Sequence, residues 1–457
     1  MLDCFAPRPS SGAVPIVPIA KADLKKRLDK LPPRQAAWLR AAGFTGATGQ
    51  VQLAPDEKGE LEKVFVGQGD DDALWVLGDL PQRLPAGRYA LEAPYDKKQQ
   101  TRAALGWALG SYAFTRYRKP EKKKIALDWP RKADRAHVER MAEAVYMVRD
   151  LVNTPAADLG PAELAAAAQA LALKHGATCG VIVGDALLKR NYPLVHAVGK
   201  GSVRAPRLID MTWGARGPRI TLVGKGVCFD SGGLDLKTSA GMKMMKKDMG
   251  GAAHALGLAS VIMAAKLPVR LRVLVPAVEN MVSGKSYRPL DVIASRKGLT
   301  VEIGNTDAEG RLILADALAE ADRDKPALLI DFATLTGAAR VALGPDLPAL
   351  FTDHDDLAND ILRHGAAEAD PLWRLPLWRG YRQGLDSKVA DLNNISESGF
   401  AGAIYAALFL KEFVSDSTPW AHLDLFAWNA RSRPGRPEGA EAMTLRALYA
   451  LIEDRFG

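Results

Sequence analysis

The stretch Arg219–Gly233, RITLVGKGVCFDSGG, decides how the rest of the chain is read. Its first eleven residues, Arg219–Phe229, are dominated by apolar residues, the composition of a buried strand. The turn-forming Asp-Ser-Gly-Gly follows at once. A helical stretch then begins at Gly250 (GGAAHALGLASVIMAAK), a strand at Val269 (VRLRVLVPAV) and another at Gly298 (GLTVEIG). A helix at Gly310 (GRLILADALAEADRD) and a strand at Pro326 (PALLIDFATL) continue the pattern. Such alternation specifies an α/β fold, with a mostly parallel or mixed central sheet flanked by helices. Ligands of these folds bind beyond the carboxyl ends of strands. The loops at Asp230 and Asp307 are therefore the first places to look for a site.

The chain has 457 residues, too many for one ordinary domain, and its 48% hydrophobic content supplies a sizeable core. Residues 1–130 are expected to form a smaller N-terminal α/β domain. They hold the strand-like runs KVFVG (63–67) and ALWVLG (73–78) and the helical stretch QQTRAALGWALGSYAFTRY (99–117). Apolar residues at helical spacing in ADRAHVERMAEAVYMVRDL make 131–150 a connecting helix. Residues 151–457 form the larger domain, opening on a turn and an alanine-rich helix that ends at Gly176. The formal net charge of +8 is moderate for this length and needs no anionic partner. The basic run RYRKPEKKK, Arg116–Lys124, reads as a solvated connector, and no nucleic-acid partner is expected. Cys4, Cys179 and Cys228 are far apart and lack C-x-x-C spacing. That argues against a disulfide framework and fits a reducing cytoplasm. The N-terminus has no basic region before its proline-broken apolar run, and no apolar run reaches spanning length. A cytoplasmic protein with no membrane partner is expected.

Asp-Ser-Gly-Gly also surrounds the nucleophile of one class of serine proteases, so Ser231 and Asp230 compete for the working role. The match is incomplete: Phe229 precedes Asp230, and no G-x-S-x-G elbow is formed around Ser231. The charged residues nearby offer different chemistry. Lys225 lies five residues before Asp230 and Lys237 seven after it. Asp248 follows in MKKDMGGAA, and Asp307, Glu309 and Arg311 stand in GNTDAEGRL. Asp307 and Glu309 share a face if their segment is extended. Singly, each of these residues has an ordinary structural use as a cap, a turn former or a surface ion-pair partner. As a set, four carboxylates and two lysines in loops after strands point to divalent cations, whose charge offsets carboxylate repulsion. Two cations ~3.5–4 Å apart would also activate a water between them.

Two long segments carry a resemblance. Gly224–Ala253, GKGVCFDSGGLDLKTSAGMKMMKKDMGGAA, and Asn305–Leu318, NTDAEGRLILADAL, strongly resemble the leucyl aminopeptidase (cytosol aminopeptidase) family of dinuclear metallopeptidases. VRDLVNTPAADLGP, PAVENMVSG and DFATLTGA resemble its other signatures, so the likeness covers roughly residues 145–430. The resemblance implies a metal-dependent aminopeptidase that releases N-terminal amino acids from peptides, with 151–457 as its catalytic domain. It implies two divalent ions per chain, Zn or Mn. Lys225, Asp230, Asp248 and Glu309 would hold the tighter one, and Asp230, Asp307 and Glu309 the more exchangeable one. Lys237 and Arg311 are the implied catalytic residues. Arg311 would hold a bicarbonate with the backbone of Gly310 and Leu335. Met245, Asn305, Ala308, Thr334, Leu335 and Gly337 are the implied substrate-binding residues, and a homohexamer is the implied assembly. On this resemblance Asp230 is the working residue and Ser231 its neighbour.

The chain departs from the family in two places. SYRPL (286–290) changes a loop. HLDLFAWN (422–429) stands where the family has smaller residues, so Phe426–Asn429 are expected to wall the first side-chain pocket, with Phe426 and Trp428 reshaping it. The alternative is a catalytically weak relative with a nucleic-acid-binding or regulatory role. The complete charged set favours activity.

Overall fold

The computed structural model describes residues 2–118 and 123–457. Residues 119–122, inside the basic run Arg116–Lys124, lie outside the described residues. The chain divides into two compact units. One runs to Tyr146 and includes Ala430–Glu438; the other comprises Met147–Asn429 and Gly439–Gly457. The division falls inside the helix Arg135–Asn153.

The first unit is built on a six-stranded sheet of order β1-β6-β5-β2-β4-β3. Its strands are β1 (Phe5–Ala6), β2 (Val14–Ala20), β3 (Val51–Pro55), β4 (Leu61–Gly69), β5 (Gly87–Leu91) and β6 (Ile125–Asp128). All pairs are parallel except β3 with β4. Val17, Ile19 and Phe65 from the sheet pack with Leu39 and Phe44 into one core. Two local expectations fail here. The run ALWVLG is helical over Ala73–Val76, because Asp72 accepts a hydrogen bond from the Leu74 N–H at 2.8 Å and caps it. The helix expected over 99–117 runs from Lys97 to Gly110 and stops at Ser111, whose hydroxyl donates to the Trp107 carbonyl at 2.8 Å.

The second unit holds a mixed sheet of order β16-β15-β18-β14-β9-β11-β8-β7. These strands are β7 (Thr178–Val183), β8 (Arg207–Trp213), β9 (Arg219–Gly224), β11 (Arg270–Asn280), β14 (Leu328–Ala333), β15 (Ala349–Phe351), β16 (Trp373–Arg374) and β18 (Trp420–Asp424). β10 (Gly226–Asp230) pairs with β11 off this path. β12 (Val292–Ala294), β13 (Thr300–Glu302) and β17 (Leu392–Asn393) form a separate small sheet. The central neighbours β18, β14, β9 and β11 run parallel, while β8, β7 and β15 are antiparallel to their inner neighbours. The carboxyl ends of the parallel strands therefore lie along one edge.

The single strand expected over Arg219–Phe229 is two. β9 pairs with the first half of β11, then the chain breaks at Lys225, and β10 pairs with the second half, Asp230 opposite Asn280. At the break the Lys225 N–H donates to the Phe332 carbonyl, and the Lys225 carbonyl accepts from the Ala252 N–H, both at 2.9 Å. The polar backbone of the break is thus satisfied by β14 and by the helix Gly250–Ala265. The helical run Met245–Ala265 has the length and hydropathy of a membrane span, but 89% of it is buried inside the fold, as befits a core helix.

His254 on that helix is fully buried. The Met443 N–H donates to its Nε2 at 2.9 Å, so Nδ1 carries the proton toward the Gly250 carbonyl, 2.6 Å away. The ring must be neutral to do both. Burial pushes its pKa down to about 4. A depressed base leaves the unfolded chain with more protons than the fold between about pH 6.5 and 4. Stability contributed by His254 is thus complete above pH 6.5 and is lost as pH falls toward 4, on the order of 3 kcal/mol in all. Urea midpoints measured across that range should fall for the wild type, with a shallower slope in His254→Asn.

Candidate active site

Five elements bring charge to one point. Lys225 stands between β9 and β10, Asp230 ends β10, and Asp248 lies in the 3-10 turn Met245–Met249. Glu309 opens the helix Glu309–Asp322, whose positive end favours a carboxylate. Thr334 follows the last residue of β14. Lys225 Nζ donates to Asp248 Oδ1 at 2.9 Å and to the Thr334 carbonyl at 3.1 Å, and lies 2.9 Å from Glu309 Oε1. Asp230 Oδ1 accepts from the Gly232 N–H and from Asn280 Nδ2, both at 2.9 Å, which leaves Oδ2 to Lys237 at 2.8 Å. Lys237 also pairs with Asp307. Asp307 and Glu309 do converge, but from a turn and a helix start rather than from the extended segment expected. Ser231 is committed to structure: its hydroxyl donates to the Asn280 carbonyl at 2.8 Å and accepts from the Gly233 N–H at 3.2 Å.

The cluster carries too few cations for its carboxylates. Asp230, Asp248, Asp307 and Glu309 face two lysines. Burial, then the Asp230 charge, raises Glu309 to about 8 and Asp307 to about 6. Burial opposes the charge of Lys225, yet Asp248, Glu309 and Asp230 hold its pKa above the ordinary lysine range. Burial likewise opposes Lys237, which Asp230 and Asp307 keep protonated. Asp248 Oδ2, Asp307 Oδ1 and Glu309 Oε1 are buried and accept no well-formed hydrogen bond, touching only lysine ammonium groups in ion-pair contact. Ligand oxygens of Asp230, Asp307 and Glu309 lie within 4.8 Å of one another. Free lone pairs, convergent oxygens and excess negative charge fit divalent cations.

The cluster opens into a cavity of about 640 Å³. Met245, Asn305, Ala308, Thr334, Leu335 and Gly337 all line it, together with Lys237 and Arg311. Arg311 is buried, with Nη1 donating to the Asn394 carbonyl at 2.6 Å, and burial lowers its pKa to about 10. Of the expected wall Phe426–Asn429, only Phe426 reaches the cavity. Trp428 lies instead 5.4 Å from Lys246 Nζ, and buried Asn429 bonds Glu441.

The family description "Cytosol aminopeptidase family, catalytic domain" matches residues 146–449, and "M17 aminopeptidase, N-terminal domain" matches residues 14–130. The chain belongs to the cytosol aminopeptidase family. A probable cytosol aminopeptidase of Caulobacter vibrioides is 41% identical over 445 residues, which is 90% of this chain and 89% of that one. The crystal structure of the cytosol aminopeptidase from Coxiella burnetii shares 49% identity, with a TM-score of 0.95 over the whole of both chains. The bottromycin maturation enzyme BotP, solved in complex with Mn, shares 33% identity and a TM-score of 0.90 over 98% of this chain and all of that one.

Within this cytosol aminopeptidase fold, several residues that shape the site went unassigned in the sequence. Asp424, at the end of β18, accepts from the Leu335 N–H (3.0 Å), the Thr336 N–H (3.3 Å) and the Thr336 hydroxyl (2.6 Å). It fixes the loop after β14. Asn280 orients Asp230, as above, and also donates to the Thr306 carbonyl at 3.0 Å. Both lie in segments already singled out, HLDLFAWN and PAVENMVSG, but their spacing to the site gave no signal. The N-terminal 130 residues held no legible motif, although the family's N-terminal domain spans most of them.

Close backbone approach is a further requirement. A Cβ on Gly251 would lie 2.0 Å from the Phe332 carbonyl oxygen and 2.8 Å from the Lys225 nitrogen. Neither atom is a flexible side-chain end. Gly251→Ala should therefore lower stability by at least ~1–3 kcal/mol. Urea unfolding of wild type and variant at equal metal content measures it.

Proposed function

We propose that this family member is a dinuclear metal aminopeptidase acting on peptides with a free N-terminus. The observation that carries this is the convergence of Lys225, Asp230, Asp248, Asp307 and Glu309 on one cavity, with carboxylate oxygens left without hydrogen bonds. Lys225, Asp230, Asp248 and Glu309 would hold one cation, and Asp230, Asp307 and Glu309 the other, Zn or Mn; BotP was solved with Mn. When bound, such cations would anchor the substrate's free α-amine, polarise the scissile carbonyl and lower the pKa of the attacking water.

The chain's own residues do the rest. Lys225 can ligate only as a neutral amine, so its proton must leave. Burial already disfavours that proton, and only the neighbouring carboxylates retain it. Lys237, held between Asp230 and Asp307, is placed to stabilise the developing oxyanion with its ammonium group. Arg311 keeps its charge in a buried place and, with the backbone of Gly310 and Leu335, would hold a bicarbonate that takes up the proton. A Cβ on Gly310 would meet Lys225 Cε at 2.5 Å, so this position also leaves room for the lysine. The same reading includes a homohexamer in the cytoplasm, supported by family membership; the described cysteines are all free.

Dialysis against a chelator should abolish hydrolysis of aminoacyl amides, and Mn or Zn should restore it with two ions bound per chain. Asp230→Asn and Glu309→Gln should each bind fewer than two. Full activity in metal-free protein would contradict the proposal, as would inactivation by a serine-directed reagent. Lys237→Met should lower kcat on the order of 10²–10³-fold with KM little altered. Light scattering should give six times the 49.2 kDa chain mass.

A further inference from the structure

Lys247 precedes the candidate ligand Asp248 and is only 5% exposed, yet it lines the cavity. Its ammonium has neither a hydrogen bond nor an ion-pair partner among the described residues. The guanidinium of Arg340, which lines the same cavity, has none either. What both touch is an aromatic ring: Lys247 Nζ lies 4.6 Å and Arg340 Cζ 5.0 Å from the centroid of Phe426. Two cations thus meet one ring in the cavity that Met245, Thr334 and Gly337 also line.

The nearby carboxylates contact other groups. Asp248 is taken by Lys225 and by the Thr334 hydroxyl, which donates to its Oδ1 at 2.7 Å. Asp424 is taken by Leu335 and Thr336. Desolvating an ammonium that no carboxylate touches is costly, and a cation–π contact offsets only part of that cost. The positive start of the helix Gly250–Ala265 adds to the same field. What Lys247 and Arg340 lack is an anion in direct contact, and a substrate can bring one.

We propose that the cavity takes an acidic first residue, so that N-terminal glutamate and aspartate are released in preference to their neutral isosteres, with Lys247 and Arg340 as specificity-determining residues. This rests on the aminopeptidase reading. A carboxylate held between an ammonium and a guanidinium exchanges its hydration for charge-assisted hydrogen bonds, which the amide of glutamine cannot match. An N-terminal lysine would be repelled.

The test compares kcat/KM for Glu-, Gln-, Leu- and Lys-aminoacyl amides with Mn-loaded enzyme. Glu should exceed Gln by at least about tenfold, since hydrogen bonds to charged groups are worth that much. Lys should be poorest. Lys247→Met should bring the Glu/Gln ratio close to one. Arg340→Gln, at an exposed position where folding is not at risk, should lower the ratio several-fold. A Glu/Gln ratio at or below one in the wild type overturns the proposal, and so does a ratio unchanged in both variants. Calorimetric titration with L-glutamate and L-glutamine separates this from the catalytic reading. If no amide is hydrolysed, the aminopeptidase reading falls, while tighter L-glutamate binding, lost in both variants, still upholds the acidic pocket; equal binding overturns it. Leu-Gly set against Leu-Gly amide tests the other source of a carboxylate. A preference for free Leu-Gly, with no Glu/Gln discrimination, would assign the cations to the far end of the substrate and sink the proposal.

Discussion

The buried charge at Lys225 is the constraint on which the rest of this site depends. The Lys225 ammonium has almost no exposed surface, and the carboxylates of Asp248 and Glu309 lie against it; each buried charge offsets the desolvation of the other. Lys225 reaches that position because β9 breaks one residue before it, and the break is held by backbone hydrogen bonds to Phe332 and Ala252. A continuous strand would alternate its side chains across the sheet and leave Lys225 in a ladder. The break instead delivers the side chain to the carboxyl edge, where Asp248, Glu309 and the Thr334 carbonyl meet it. The same step moves β10 alongside the second half of β11, which sets Asp230 against Asn280.

Much of this was legible in the sequence, and the reasons for the rest are physical. Asp230, Asp307 and Glu309 announced themselves because carboxylates directly after apolar runs have few structural uses in such numbers. The break at Lys225 did not, because Gly224 and Gly226 within a β-rich run are compatible with a continuous strand as well as with two. ALWVLG misled because its apolar bias outvoted the cap at Asp72, a single hydrogen bond that periodicity does not register. Asp424 and Asn280 were missed for a deeper reason. Each acts on a partner far away in sequence, 89 residues from Asp424 to Leu335 and 50 from Asn280 to Asp230, so no local spacing encodes the contact.

A site with excess buried negative charge also shapes the energetics of the fold. With Glu309 and Asp307 both pushed toward protonation, the cluster carries unfavourable electrostatics that the packed sheet must overcome. Ligands that bind the native state and not the unfolded chain would relieve that strain and add stability by mass action. Under the proposed function, stability and activity would be linked through one set of side chains.

The register of the two strands behind the cavity shows how little tolerance this leaves. β14 and β18 pair with Asp331 opposite His422 and Ala333 opposite Asp424. The Asp331 carboxylate accepts from Trp420 Nε1 at 2.8 Å and meets His422 Nδ1 at 2.6 Å. Burial disfavours charge on His422, while Asp331 beside it raises its pKa above the ordinary value. A slip of β18 by one residue would part that pair and turn its side chains to the opposite face. It would also carry Asp424 away from Leu335 and Thr336, and so release the loop that lines the cavity. A buried polar pair of this kind adds little net stability compared with apolar packing. Its value here is that only one register satisfies it, and that register is the one that places Asp424, and with it the loop carrying Leu335 and Gly337, at the edge of the charged cluster.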